Sequence, residues 1–261
     1  MKNVTGKQIA FELSLCGISS GDVVLMHSSL SSIGHVEGGA DTVIDAMLDV
    51  IGPSGTFAVS TLSNNGEPFD PDNTPSGVGR VSEALRKRHG AIRSLHPIHS
   101  IAAIGARATE LCGGHDKCAS GCSTDSPYGK LRDMNGKIVL LGVDMNRNTT
   151  LHAIEDIMDS CYLEERVLPA PVYLDDFTNR TVTIIKFPPG HRNFLQFTPV
   201  LRRAGALIEG RVGRALVKVI DVPAMFSLGI EALESDPLFF MCGNAACEYC
   251  ANAAAKLCKG E

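Results

Sequence analysis

The chain has 261 residues, 44% apolar and 20% charged, enough to bury a sizeable core, and this composition excludes an intrinsically disordered protein. A net charge of −5 lacks the excess of Lys and Arg that phosphate binding needs, which excludes a general nucleic-acid partner and leaves room for a cationic one. No apolar run at the N-terminus resembles a signal peptide, and no stretch approaches the roughly 20 apolar residues of a membrane span, so no membrane partner and a cytoplasmic location are expected.

Thr5 caps a predicted first helix that runs to about Cys16, and Asp22 to His27 reads as a buried strand. Ser28-Ser29-Leu30 begins a loop. Val43, Ile44, Met47, Leu48 and Ile51 recur at helical spacing until Gly52-Pro53, and Thr56–Ser60 follows as a strand, completing a β-α-β unit. Residues 63–79 carry Asn, Gly, Pro and Asp and predict a long functional loop, an active-site lid. A short helix over Ser82 to Arg88, a strand over Ser100 to Gly105 and an apolar strand over Lys137 to Gly142 come next. Alternation near Val172 and from Thr181 to Phe187 predicts an antiparallel pair, and helices are expected over Phe194 to Arg203 and Pro223 to Glu234. Without repeats or a linker, residues 1–261 form one α/β domain: a mixed, mainly parallel central sheet flanked by helices, with a smaller antiparallel β subregion.

Six of the nine cysteines form two clusters, Cys112, Cys118 and Cys122 with His115, and Cys242, Cys247 and Cys250. Either cluster could supply ligands for zinc. The second, C-x4-C-x2-C, offers no fourth ligand nearby except Cys258, so free thiols are expected rather than a metal.

The segment from Asn148 to Asp159 holds the strongest chemical signal. Asn148 is a candidate N-cap, and Ile154, Ile157, Met158 and Cys161 fall on one helical stripe while His152, Glu155, Asp156 and Asp159 repeat on another. A carboxylate three residues beyond a histidine can meet one ring nitrogen, fix the tautomer and leave the other nitrogen to take a proton. A solvated surface helix would show the same spacing. Its place after an apolar strand favours the chemical reading, because ligands in open α/β sheets bind at the carboxyl ends of strands.

Several ordered motifs go further. Val24-Leu-Met-His-Ser-Ser-Leu30 with Ile33-Gly34, Gly52-Pro-Ser-Gly-Thr56, Phe69-Asp-Pro71 with Thr74-Pro75, and Gly79-Arg80 are followed by Arg93-Ser-Leu-His-Pro-Ile-His-Ser100, Asp125-Ser-Pro-Tyr-Gly129, Leu141-Gly-Val143 and Asn148-Thr-Thr-Leu-His152. Together, over nearly the whole chain, they resemble the antibiotic N-acetyltransferase family, whose best-known members are aminoglycoside 3-N-acetyltransferases. The resemblance implies that family's fold and transfer of acetyl from acetyl-CoA, as co-substrate, to the 3-amine of a 2-deoxystreptamine ring by direct attack. It implies His152 as general base with Glu155 as its partner, and no metal.

It also implies a coenzyme A cleft formed by His27, Ser28, Ser29 and Leu30 beside Ser94, His96, Pro97, His99 and Ser100. His96 and His99 could equally serve turns. Ser28 as a nucleophile is disfavoured, because the G-x-S-x-G elbow is missing. Among the acidic residues, Asp70 in the long loop and Asp156 beside the base are the expected contacts of an aminoglycoside or other cationic amine. His191, in Pro188-Pro-Gly-His191-Arg-Asn193, either contacts substrate, helps position Glu155 or serves a turn. A homodimer is compatible with this reading. Two alternatives stay open: the same chemistry on a non-aminoglycoside amine, and a catalytically silent coenzyme A-binding protein.

Overall fold

The computed structural model describes residues 3–63, 69–173, 179–186, 191–244 and 246–259. In chain order the elements are α1 (Gly6–Leu15), β1 (Val23–Ser28), α2 (Leu30–Ile33), α3 (Gly39–Ile51), β2 (Thr56–Ser60), α4 (Arg80–Lys87), β3 (Ile92–Arg93), β4 (Ile101–Gly105), α5 (Ala108–Cys112) and α6 (Pro127–Asp133). They continue as β5 (Lys137–Leu141), α7 (Leu151–Ile157), β6 (Glu164–Tyr173), β7 (Asn179–Lys186), α8 (Thr198–Arg203), β8 (Leu207–Val212), β9 (Ala215–Asp221), α9 (Val222–Ser235) and α10 (Glu248–Lys259). No helix among the described residues is long and apolar enough to cross a membrane.

Seven strands form one sheet in the order β3-β4-β2-β1-β5-β9-β8, and β6 with β7 forms the expected separate antiparallel pair. The sheet is mixed, as predicted, but parallel pairing is confined to its centre, where β1 lies between β2 and β5. The flanking pairs β2/β4, β3/β4, β5/β9 and β8/β9 are antiparallel, which corrects the expectation of a mainly parallel sheet. The physical reason is visible at β8 and β9: Gly213 and Arg214 make a tight turn that only an antiparallel hairpin can use.

β1 shows why the centre is buried on both sides. Val23 and Leu25 pack into one core with residues of α5, α6, α7 and α9, while Val24 and Met26 pack into the other with α1, α3 and α4. Val24 and Leu25 are fully buried, each contributing roughly 1.5–3 kcal/mol relative to exposure. Thr5 caps α1 as expected, its hydroxyl accepting from Gln8 N.

Two features place the helix carrying His152. A side chain at Gly229 would bring a Cβ within 2.6 Å of Ile154 Cδ1, so the glycine lets α9 pack closely against α7. The entry to α7 differs from expectation: Asp144 caps a 3-10 turn over Met145–Arg147, and the helix proper starts at Leu151 with Thr150 at the cap position. Asn148 still serves the entry, its side-chain oxygen accepting from Thr150 N. At the other end Asp159 adopts a left-handed backbone (φ 44°) just beyond Ile157, so it terminates the helix instead of extending the armed face.

Candidate active site

The cavity opens where the three parallel strands end. A space of about 850 Å³ is lined by Ser28 at the end of β1, Ser60 at the end of β2 and Val143 and Asn146 through Thr149 after β5. His27, Ser82, His99, His152, Arg192 and Phe194 complete the parts of its wall that matter here. The volume is at the upper end of the roughly 300–1,000 Å³ typical of ligand pockets, and the position is where α/β sheets bind ligands.

His152 and Glu155 meet as their spacing predicts. Nδ1 of His152 lies 2.6 Å from Glu155 Oε2, and the ring packs edge-on against Phe194 at 5.4 Å between centroids. Glu155 is fully buried. Burial pushes its pKa up, but the hydrogen bond and charge of His152, and then the Arg192 guanidinium, outweigh it and hold the carboxyl below its ordinary value. The tautomer follows: a carboxylate that only accepts puts the proton on Nδ1, so proton exchange with a ligand runs through Nε2.

Arg192 is the site residue that the sequence reading missed. Its Nε donates to Glu155 Oε1 at 2.8 Å, and its guanidinium lies 4.7 Å over the Tyr162 ring. The role proposed for His191 in positioning Glu155 therefore belongs to its neighbour. His191 instead stacks on Tyr249 at 3.9 Å and places Nδ1 3.1 Å from Cys247 Sγ. The signal was available in principle, since a buried carboxylate needs a cationic partner as well as a histidine.

The expected coenzyme A residues divide. His27, Ser28 and His99 line the cavity; Ser29, Leu30, Ser94, His96, Pro97 and Ser100 do not. Burial pushes His27 down to about 4, and its buried Nε2 has no hydrogen-bond partner among the described residues. Ser29 bonds Ser31 and Ser32 at the entry to α2, the short helix that replaces the expected loop at Leu30. Ser94 receives a bond from Ile101 N and contacts His115 Nδ1 at 2.8 Å, while Ser100 donates to the Thr61 carbonyl. His96 Nδ1 accepts from the backbone N–H groups of Ile98 and His99, and Pro97 gives its carbonyl to Ser63 Oγ. These residues tie turns together, the role that polar loop side chains commonly take.

His96 and His115 are buried and cluster with His99, which lines the cavity. His96 stacks on His115 at 4.7 Å and lies 5.4 Å from His99. A Cβ at Gly121 would sit 2.5 Å from His99 Nδ1 and 2.9 Å from His96 Nε2, so the rings close directly onto that glycine's backbone. Burial lowers His99 to about 3, with the charges of His152 and His115 acting in the same direction, and lowers His115 to about 4. At neutral pH the cluster is uncharged.

Of the expected substrate carboxylates, Asp70 is spent on its own turn. Its Oδ1 accepts from the backbone N–H of Asp72 and Asn73, and Oδ2 from Asn73 Nδ2. Arg93 completes that loop by donating to the carbonyls of Pro71 and Thr74 and lying over the Phe69 ring. The lid expected over 63–79 lies partly outside the described residues. Asp156 stands one turn beyond His152 on the same helix face, accepts from Ser120 Oγ at 2.6 Å and has its pKa raised by burial.

Comparison with known proteins settles the lineage. The family described as aminoglycoside 3-N-acetyltransferase matches residues 25–234. The chain belongs to the aminoglycoside 3-N-acetyltransferase family. Aminoglycoside N(3)-acetyltransferase IX of Micromonospora chalcea is 36% identical over 265 residues, covering 89% of this chain and 94% of that protein. Aminoglycoside N(3)-acetyltransferase VII of Streptomyces paromomycinus is 36% identical over 179 residues, which span 62% of its length and 60% of this chain. Among solved structures, a histidine-to-alanine mutant of aminoglycoside acetyltransferase AAC(3)-IVa in complex with a gentamicin superimposes with a TM-score of 0.88 at 27% identity, covering 98% of each chain. AAC-IIIb in a binary complex with CoASH gives 0.80 at 25% identity, covering 90% of this chain and 97% of that one.

Proposed function

We propose that this member of the family transfers acetyl from acetyl-CoA to the 3-amine of the 2-deoxystreptamine ring of an aminoglycoside, by direct attack with His152 as general base. The observation that carries the reading is the His152–Glu155–Arg192 chain, buried at Glu155 and lining the cavity at His152 and Arg192. The relatives are named for acetylation at N3, and structural neighbours hold CoASH or a gentamicin, which supports the pair of substrates.

Acetyl-CoA supplies the activated acyl group as a thioester. His27, with its unsatisfied Nε2, and Ser28 offer hydrogen-bonding groups to the coenzyme at the end of β1. His152 Nε2 takes the proton that the acceptor amine must lose as the new N–C bond forms and the C–S bond breaks; that proton then goes to the departing sulfur. Glu155 offsets the imidazolium charge in the meantime, and Arg192 keeps the carboxylate ionised in its dry setting. The neutral His99 beside His152 adds no opposing charge.

Asp156, one turn beyond His152 on α7 but outside the cavity lining, is the expected carboxylate that remains for a second ammonium group of the acceptor. No described residue lining the cavity is a carboxylate, and this favours keeping a less cationic amine as the second reading. Thiol release from acetyl-CoA with a panel of aminoglycosides tests both. Wild type should turn over, and His152→Ala should be slower by about 10²–10⁴-fold while still binding the coenzyme. Equal rates for the two proteins would remove His152 from the mechanism. Coenzyme binding without turnover on any aminoglycoside would move the acceptor to another amine.

A further inference from the structure

We propose that Cys242, Cys247, Cys250 and His191 form a zinc site that fastens the C-terminal helix to the backbone holding Arg192. The sulfurs of the three cysteines lie within 4.8 Å of one another, Cys242 and Cys250 at 3.2 Å, and all three are half-buried. His191 enters from the opposite chain segment with Nδ1 3.1 Å from Cys247 Sγ, its ring plane fixed by Tyr249 of α10. This reverses the preference for free thiols, which rested on the lack of a fourth ligand near the C-x4-C-x2-C run. The ligand comes from 51 residues before Cys242, a separation that sequence spacing does not reveal. The side chain of Cys258 lies outside the described residues.

Three cysteines and one histidine are a recurrent closed set for structural zinc, with Zn–S of about 2.3 Å and hence sulfurs about 3.8 Å apart in a tetrahedron. The three sulfurs bracket that spacing, and His191, which lies outside their mutual 4.8 Å group, would turn in from its contact with Cys247. The local backbone also suits thiolates: the N–H of Asn244 points to Cys242 and that of Cys250 to Cys247. On binding, each S–H gives its proton to solvent and the thiolate takes the metal; no oxidation is involved.

The packing explains what a metal would add. Arg192 pairs antiparallel with Met241, flanked by bonds from Cys242 N to the His191 carbonyl and from Asn193 N to the Phe240 carbonyl. Beneath lies a small apolar cluster whose buried members are Tyr162, Met241 and Ala253. So few buried groups contribute little to holding a helix, and small units of this kind are commonly stapled by a metal. The proposal stands apart from the activity, since it concerns metal content.

The test is elemental analysis of the chain purified from zinc-supplemented culture without chelator, alongside Cys247→Ser and His191→Ala. We expect near-stoichiometric zinc in wild type and less than about a tenth of it in Cys247→Ser. His191→Ala, which keeps all three sulfurs and serves if the serine variant fails to fold, should bind zinc about 10–100-fold more weakly. Cobalt substitution should produce thiolate-to-metal charge-transfer absorption. A zinc-free wild type, or a Cys242–Cys250 disulfide in protein prepared with zinc present, would overturn the site. So would metal retained at full affinity in both variants.

Discussion

His115 and His152 each have a ring nitrogen at short hydrogen-bond distance from an oxygen, yet their surroundings differ in kind. His115 receives a bond from Ser94 Oγ and donates to the Gly121 carbonyl, both neutral, and burial takes it down to about 4. His152 instead faces a fully buried carboxylate that its own hydrogen bond, and then Arg192, hold below the ordinary pKa. A buried histidine among neutral partners is a hydrogen-bonding brace; the same residue against an ionised carboxylate can hold a proton in mid-reaction. The difference lies in the third residue of each chain.

The largest expected effect breaks the charged side. Glu155→Gln removes the charge and the acceptor-only character that fix the His152 tautomer, and turnover should fall by about 10²–10⁴-fold, read as kcat with acetyl-CoA and a good acceptor. It also leaves Arg192 buried opposite a neutral amide, a loss on the order of 3–5 kcal/mol in chemical denaturation. An unchanged kcat in a folded Glu155→Gln protein would place the histidine's activation elsewhere.

The neutral side should show itself as acid sensitivity of the fold. His27 and His115 titrate near 4 and His99 near 3 in the native protein, against about 6.5 unfolded. Below pH 6.5 the unfolded chain binds these protons first, so stability is intact above that value and is lost as pH falls toward 4. At pH 5 the loss is about 2 kcal/mol per histidine. Melting temperatures from pH 8 to 5 check the slope; a flat profile would mean these rings are charged in the native state.

His115→Leu separates brace from base. It strands Ser94 Oγ and the Gly121 carbonyl, costing about 1–3 kcal/mol, and should flatten the acid slope while leaving kcat of the folded enzyme close to wild type. The smallest effect belongs to Asp70→Ala, which loosens one turn by about 1 kcal/mol and leaves the acceptor KM unchanged. A large rise in KM there would restore Asp70 as a substrate contact.

What could be read from the chain alone follows from range. The capped α1, the β1-α3-β2 unit and the His152/Glu155 pair are local patterns, and each is found as expected. The Ser126 cap followed by Pro127 marks the start of α6 just as locally and was passed over, as was the alternating β9. Antiparallel pairing of β2 with β4 and of β5 with β9 depends on which distant strand arrives alongside, and strand composition does not encode it. Arg192 was hidden for the same reason: its partner lies 37 residues away.

That distance bears on how the enzyme is made. The guanidinium that helps keep Glu155 charged sits in a segment paired with Met241, so during synthesis the helix carrying His152 is complete long before that pairing can form. A chain interrupted before residue 241 carries every residue of the His152–Glu155–Arg192 trio but lacks the backbone partner of Arg192.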